Sequence, residues 1–493
     1  MNLIPMKSVL LVGACFLFLS CSKDKKETSK SVISNSNVVR FLWTAQSQET
    51  PQINVINQFG EPVVAAQILI GSEADVPFSG NLIQTDQSGI AAIPAEWTAP
   101  DHVTVDATGY VRITLLNQQP GDLIIRLSPK HLATKPEIRG EVTQLPVVNS
   151  DKLIDFGLVM PALNRSDLLN FDINQVLSPY SDVLTVAGQE SRVPTNISLP
   201  TQKESYIFSV TISKPVYSMQ VATFGPKRFF AARGQFVFKD VIGEIRAGKP
   251  FYELINYFSI LGGSIRDTTI VNPVTNLNIP ANELDFKNSF TVTTPNIQSD
   301  ELLLVLAASQ VAGSLIPTDI KKTTGGQTLV LSSLGGKPAF ILNVVKRESE
   351  FMATSSGADR MSVSILPYTV GIKQEMLPLV KNPSISTSGG YRITLPSPPT
   401  TAGIFPIATS ISISDLTEAT SGASKFFVAR PRWEVLGLGW NSQVQLPKWP
   451  LRGTASKMRV GINFIGSNKN SNPSLDDSLI EAATHVSHAS TDF

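Results

Sequence analysis

The chain has 493 residues, too many for a single hydrophobic core, and its length alone suggests roughly three or four domains. Charged residues make up 16% and the net charge is +1, so no global field would draw in nucleic acid or an acidic polymer. Its 2 cysteines, Cys15 and Cys21, both lie near the N-terminus, which excludes disulfides and thiolate chemistry from everything after Cys21.

Met1 to Lys7 carries one cation, and Ser8 to Leu19 is almost wholly apolar. As a helix that apolar run would span about 18 Å, short of the roughly 30 Å hydrocarbon core of a bilayer, so residues 1–20 read as a signal peptide. Phe18-Leu19-Ser20-Cys21 resembles the lipobox of bacterial lipoproteins. The resemblance implies that Cys21 receives lipid, palmitate included, and becomes the mature N-terminus. Val12-Gly13-Ala14-Cys15 is a second match, but cleavage there would leave a short apolar region before it and expose Phe16 to Leu19 after it. Ser22 to Asn37 is rich in Ser, Lys, Asp and Asn, so residues 21–48 are expected to form a flexible tether. By the same resemblance, Ser22 rather than Asp after the cysteine implies the outer membrane, on its surface or periplasmic face. Anchorage would come through the N-terminal lipid.

Residues 49–130 alternate with period two around glycine turns. "INVINQFGEPVVAAQILIGS" turns at Phe59 to Pro62, and "TDQSGIAAIPAEW" turns at Asp86 to Gly89. Val103, Val105 and Ala107 share one face, as do Leu123, Ile125 and Leu127. Gly60-x-Pro62-Val63, Thr85-Asp86-x-x-Gly89, Ala107-x-Gly109-Tyr110 and Leu123-x-Ile125-x-Leu127-x-Pro129 follow one another as in the carboxypeptidase regulatory-like domain. That family is a transthyretin-like, or prealbumin-like, sandwich similar to carbohydrate-binding-like folds, so the resemblance implies a scaffold and leaves its function to a site. The segment Glu73 to Leu82 is longer than this pattern needs and is a loop of interest.

Beyond a linker at Lys130 to Pro136, residues 136–285 are expected to form a β-rich domain with short helices. "SDLLNFDINQVL" (Ser166 to Leu177) suits a capped helix. The spacings of Val241, Ile242 and Ile245, and of Phe251, Leu254, Ile255 and Phe258, suit two amphipathic helices packed on a sheet. Residues 286–382 alternate again and read as a sandwich. Residues 383–493 read as a C-terminal β-rich domain whose last segment, "LIEAATHVSHASTDF", reads as a closing strand. The fold class expected is mostly β: tandem β-sandwiches, transthyretin-like and then immunoglobulin-like, with a few short helices.

The catalytic inventory is thin. There are 4 histidines, and no H-E-x-x-H, G-x-S-x-G, P-loop or calcium-loop pattern. His485 and His488 on a strand would face opposite sides, so they are expected to be ordinary surface histidines and no metal or other cofactor is expected. Asp476-Asp477 beside Ser474 and Ser478 is the remaining loop with cation-binding residue types. Trp433, Trp440 and Trp449 lie close together in sequence among Arg430, Arg432, Lys448 and Arg452. Trp433 shares a strand face with Val435 and is expected in a core. Trp440 and Trp449 sit in Gly- and Pro-flanked turns, where with Arg452 they would stack on a ligand. The sequence therefore points to an anchored envelope module that binds glycan, peptidoglycan or another envelope protein, or builds structure, without catalysis. A hydrolase using paired carboxylates is the alternative, because such pairs need no local motif.

Overall fold

Alternating side chains and glycine turns produce a chain that is mostly β. A computed structural model describes residues 51–57, 59–71, 82–130, 136–145, 153–162, 181–186, 189–194, 196–200, 205–211, 216–221, 224–249, 251–351, 359–372, 374–387, 391–421, 424–447 and 457–493. Seven strands come first: β1 (Gln52–Asn57), β2 (Gln67–Ile70), β3 (Leu82–Gln84), β4 (Ile90–Ala92), β5 (Asp101–Asp106), β6 (Arg112–Gln118) and β7 (Leu123–Leu127). They form two layers, β4-β1-β7 and β3-β2-β5-β6, over a core that includes Ile53, Val55, Ile68, Val103, Val105 and Leu127. The turn before β4 depends on Gly89, at φ +74°, where a Cβ would stand 2.6 Å from the carbonyl oxygen of Val55. Asp86 closes that turn by accepting from the backbone N–H of Ser88 and Ile90 at 2.8 and 2.9 Å.

The next region holds β8 (Glu137–Thr143), β9 (Leu153–Pro161), β10 (Ser181–Val186), β11 (Gln189–Pro194), β12 (Asn196–Pro200), β13 (Ser205–Thr211), β14 (Val216–Gln220), β15 (Gly225–Val237) and β16 (Phe258–Ile270). Short strands β17 (Val274–Asn276), β18 (Ile279–Pro280) and β19 (Leu284–Asp285) follow. Between β15 and β16 lie helix α1 (Phe238–Arg246) and a 3-10 helix, Phe251–Tyr257. Of the residues that the spacing picks out on these two elements, Val241, Ile242, Leu254 and Ile255 are in the core, and the side chains of Ile245 and Phe251 lie outside the described residues. Phe258, expected on the second helix, instead opens β16. The helix expected at Ser166 to Leu177 lies outside the described residues.

The remaining strands are β20 (Asn288–Thr293), β21 (Glu301–Val311), β22 (Ser314–Thr323), β23 (Thr328–Ser333), β24 (Ala339–Arg347), β25 (Asp359–Pro367), β26 (Ser384–Ser386), β27 (Tyr391–Thr394), β28 (Phe405–Ser421), β29 (Ser424–Leu438), β30 (Gln443–Leu446), β31 (Met458–Ser467) and β32 (His485–Asp492). Helix α2 (Glu348–Phe351) follows β24, and α3 (Asp477–Ala482) precedes β32, occupying the first part of the segment expected to be the closing strand. Asp476 caps α3 by accepting from the N–H of Ser478, and the Ser478 hydroxyl accepts from the N–H of Ser474.

One sheet of twelve strands, in the order β22-β21-β24-β25-β32-β31-β28-β29-β6-β5-β2-β3, runs through residues of three of the expected regions. The join between first and last is a parallel pairing of β29 with β6, Trp433 opposite Arg112 and Leu436 opposite Leu115. Both faces of this sheet are covered by packed layers. On one face β20 and β23 pack over β21 and β24, and the β26-β27-β30 sheet packs over β28, β29 and β31. On the other, the sheet β12-β13-β9-β15-β16-β19 covers the β21-β24-β25 end, α3 covers part of β28 and β31, and β4-β1-β7 covers β6, β5 and β2.

Candidate functional site

The tryptophan cluster is resolved into separate roles. Trp433 is fully buried, donates from Nε1 to Thr114 Oγ1 at 2.8 Å, lies under the Arg112 guanidinium at 4.6 Å and meets Tyr391 edge-on. That is a core tryptophan, as its strand position implies. Trp440 is part-buried: its Nε1 donates to the Ile465 carbonyl at 2.8 Å and its ring meets Phe464 at 6.0 Å. The open stacking surface expected of Trp440 is thus limited by its own anchorage. Trp449, Arg452, Cys21 and His131 lie outside the described residues, as does all of Glu73 to Leu82 except Leu82.

His485 and His488 do face opposite sides of β32, but they are buried, at 2% and 9% exposure, where surface positions were expected. The reason is the place of β32 between β25 and β31 near the middle of the large sheet, covered on both faces. His485 bonds the Glu375 carbonyl through Nε2 at 3.1 Å and Thr484 Oγ1 through Nδ1 at 2.8 Å. Because a carbonyl only accepts, the proton is on Nε2 and the Thr484 hydroxyl donates to Nδ1. Burial pushes its pKa down to about 4. His488 Nδ1 donates to Asn463 Oδ1 at 2.8 Å.

The face that carries His488 holds the most unusual chemistry in the described residues. Ser410, Ser412 and Ser414 alternate along β28 with Ile411 and Ile413, and the isoleucines take the opposite, apolar face. Register then places side chains in rows on the serine side. One row runs Glu434, Ser412, Gly461, Ser490, Asp359; the next runs Leu436, Ser410, Asn463, His488, Met361, Lys346. A Cβ at position 461 would stand 3.0 Å from Ser412 Oγ and 3.4 Å from His488 Cε1, so these two side chains lean towards each other over the glycine.

Ser410, Ser414 and Ser490 are only 7%, 5% and 2% exposed, and Ser412 and Glu434 are part-buried. Desolvation pushes Glu434 up to about 7. At the far end Asp359 pairs with Lys346, both almost wholly buried, while its Oδ2 has no partner. Beyond Ser414 the cations are held by carboxylates: Arg432 by Asp415, and Arg459 and Lys457 by Asp492. Apolar clusters flank this polar floor on three sides, and none of its serines belongs to them. Among the described residues no three metal-ligating side chains converge. No described helix is long and apolar enough to cross a membrane.

Glu434 and the serines carry no distinguishing signal in the sequence. "SISIS" spells an ordinary half-exposed strand, and only the register of five strands shows that its polar side is enclosed.

No family model and no curated protein matches the chain. A solved structure that aligns with it is that of Lac15 from a marine microbial metagenome, at 10% identity, covering 61% of this chain and 89% of that one. The TM-score is 0.11, too low to bear on fold or function.

Proposed function

We propose that the chain is an envelope lipoprotein, anchored to the outer membrane by lipid on Cys21, whose β-rich body binds a glycan, peptidoglycan or another envelope protein. The anchor rests on the leader: a short apolar run that stops at Ser20-Cys21 and a polar, lysine-containing stretch behind it. The seven-strand sandwich of residues 52–127 is in keeping with the carboxypeptidase regulatory-like resemblance. Binding, in preference to a spacer role alone, rests on one observation. One face of the large sheet sets Ser410, Ser412, Ser414 and Ser490 in line with Glu434, a polar stretch flanked by apolar clusters. A buried face serving only as scaffold would ordinarily carry apolar side chains there.

The test has two arms. Wild type and Cys21→Ala are expressed with metabolic palmitate labelling and fractionated. The wild type should label and sediment with outer membrane, and the variant should do neither; equal behaviour of the two would sink the anchor. The body is then incubated with purified sacculi and with envelope extract, and saturable retention is expected on one of them.

A second reading, a carboxylate-dependent glycan or peptide hydrolase, draws on Glu434 alone, since a carboxyl near neutrality can serve as a general acid. Release of reducing ends or free amines from those substrates, abolished in Glu434→Gln, would favour it over binding.

A further inference from the structure

Lys346 on β24 and Asp359 on β25 meet where solvent does not reach. Their side chains are 1% and 2% exposed, and the lysine Nζ donates to Asp359 Oδ1. Register sets Lys346 opposite Leu302 on one side and Met361 on the other, with Asp359 two residues from Met361 on the same face. Leu302, Val344 and Met361 belong to an apolar cluster, so the surroundings offer two charges little solvation. Asp359 Oδ2 has no hydrogen-bond partner, and the neighbouring Arg360 is taken up by Glu350. The ion pairs of Lys287, Lys321, Lys322 and Lys457 differ, because those lysine side chains are between 16% and 82% exposed. Arg112 and Asp106 are as deeply buried, but a guanidinium stays charged and offers no amine lone pair. Lys346 and Asp359 therefore combine a primary amine, a carboxyl in contact with it, and exclusion of water.

We propose that Lys346 and Asp359 are the site of an intramolecular isopeptide bond, with the ion pair as its precursor. This goes beyond the binding reading and does not rest on it. The step balances within the pair. The ammonium returns one proton to the carboxylate, leaving an amine and a carboxylic acid. The Nζ lone pair attacks Cγ and the C–N bond forms. The C–O bond then breaks, and the departing hydroxyl takes a second amine proton and leaves as water. No oxidant or co-reactant is needed. Two strands of one sheet hold the reacting groups together, and well-oriented neighbours of this kind reach effective concentrations on the order of 10⁵ M or more. Condensation also replaces two buried charges by one neutral amide, which suits the apolar surroundings better. The chain beyond Cys21 has no cysteine, so this bond gives the body a covalent tie of a kind that disulfides cannot supply there.

The experiment is peptide mapping of the full chain, purified folded, then unfolded in guanidinium and digested with trypsin. An acylated Lys346 is no longer cut, so the segment from Thr323 to Arg347 should be recovered joined to the segment from Glu348 to Arg360, one water lighter than their sum. Fragmentation should place the bond between Lys346 and Asp359, and the joined species should account for most of both segments. Lys346→Arg keeps a cation beside Asp359 but has no amine to acylate, so it should yield the two segments separately. Two results overturn the proposal in the wild-type chain alone, whether or not the variant folds. One is cleavage after Lys346 with both segments separate and at full mass. The other is loss of water confined to the Glu348 to Arg360 segment with Lys346 still cut, which is the mark of a succinimide at Asp359. A joined species from Lys346→Arg would overturn the assignment of the amine.

Discussion

The indole N–H of Trp433 donates to Oγ1 of Thr114 across 2.8 Å, although 319 residues separate the two in sequence. Their strands, β29 and β6, pair in parallel, and Arg112 bridges them by lying over the indole while pairing with Asp106 at 3.3 Å. The seven-strand region and the C-terminal region are therefore joined in one sheet by a buried polar contact. Thr114→Val keeps the shape and leaves the buried indole N–H unpaired, which should cost about 1–3 kcal/mol. Trp433→Ala should cost about 3–5 kcal/mol or more through the cavity it leaves. Urea midpoints with an unchanged slope would measure both. A Thr114→Val midpoint equal to wild type would show that this contact does not hold the two regions together.

His485 should make the protein labile to acid. Its folded pKa, about 4, lies below the ordinary 6.5, so the folded state favours the neutral ring. A basic group depressed in this way contributes stability that is complete above about 6.5 and is lost as the pH falls towards 4. The full loss is about 3 kcal/mol. Protonation would also put a second N–H against the Thr484 hydroxyl, which already accepts from the Asn468 N–H at 2.9 Å. The segment carrying Glu375 should loosen first, because His485 and Ser487 hold its carbonyls at Glu375 and Pro378. Denaturant midpoints at pH 7, 5.5 and 4 for wild type and His485→Gln provide the check. The variant should be less stable at pH 7 and show a flatter profile, and parallel profiles would exclude His485 as the cause.

Much of the strand content was legible because alternation is local. Val103 and Val105 point inward as the alternation implies, and the spacing of Val241, Ile242, Leu254 and Ile255 gives the two helical turns. Burial of whole strands was not legible. His485 and His488 read as surface residues because nothing near β32 in the sequence says that it will lie between β25 and β31. That is a non-local pairing, and the same is true of β29 against β6. The candidate floor was invisible for the same reason: it is assembled from five strands, each of which contributes one to three ordinary residues. Trp440 misled in the other direction, since a turn flanked by glycine suggested exposure and the Ile465 carbonyl captured its ring.

Lys346 and Asp359 test how the polar floor is bounded. Both side chains are nearly inaccessible, at 1% and 2%, and their ion pair stands beside the apolar cluster containing Val344 and Met361. Removing one partner leaves the other charge buried, so Lys346→Met and Asp359→Leu should each cost about 3–5 kcal/mol. The double variant should recover much of that loss, because two apolar groups of similar size suit the same surroundings. A double-mutant cycle in urea measures the coupling. Additive losses would mean that the two charges do not depend on each other.

Glu434 should give the opposite pH signature from His485. Its folded pKa, about 7, lies above the ordinary 4.5, so the fold prefers the protonated carboxyl. The contribution of such a group is complete below about 4.5 and is lost as the pH rises through about 7. Allowing for its partial exposure, the loss is about 2 kcal/mol. Glu434→Gln keeps the shape and has no charge to expel, so its stability should not fall over that range. Wild type and variant should match at pH 4.5 and diverge by pH 8, with the variant the more stable. Identical pH profiles for wild type and Glu434→Gln would exclude an elevated carboxyl at this position.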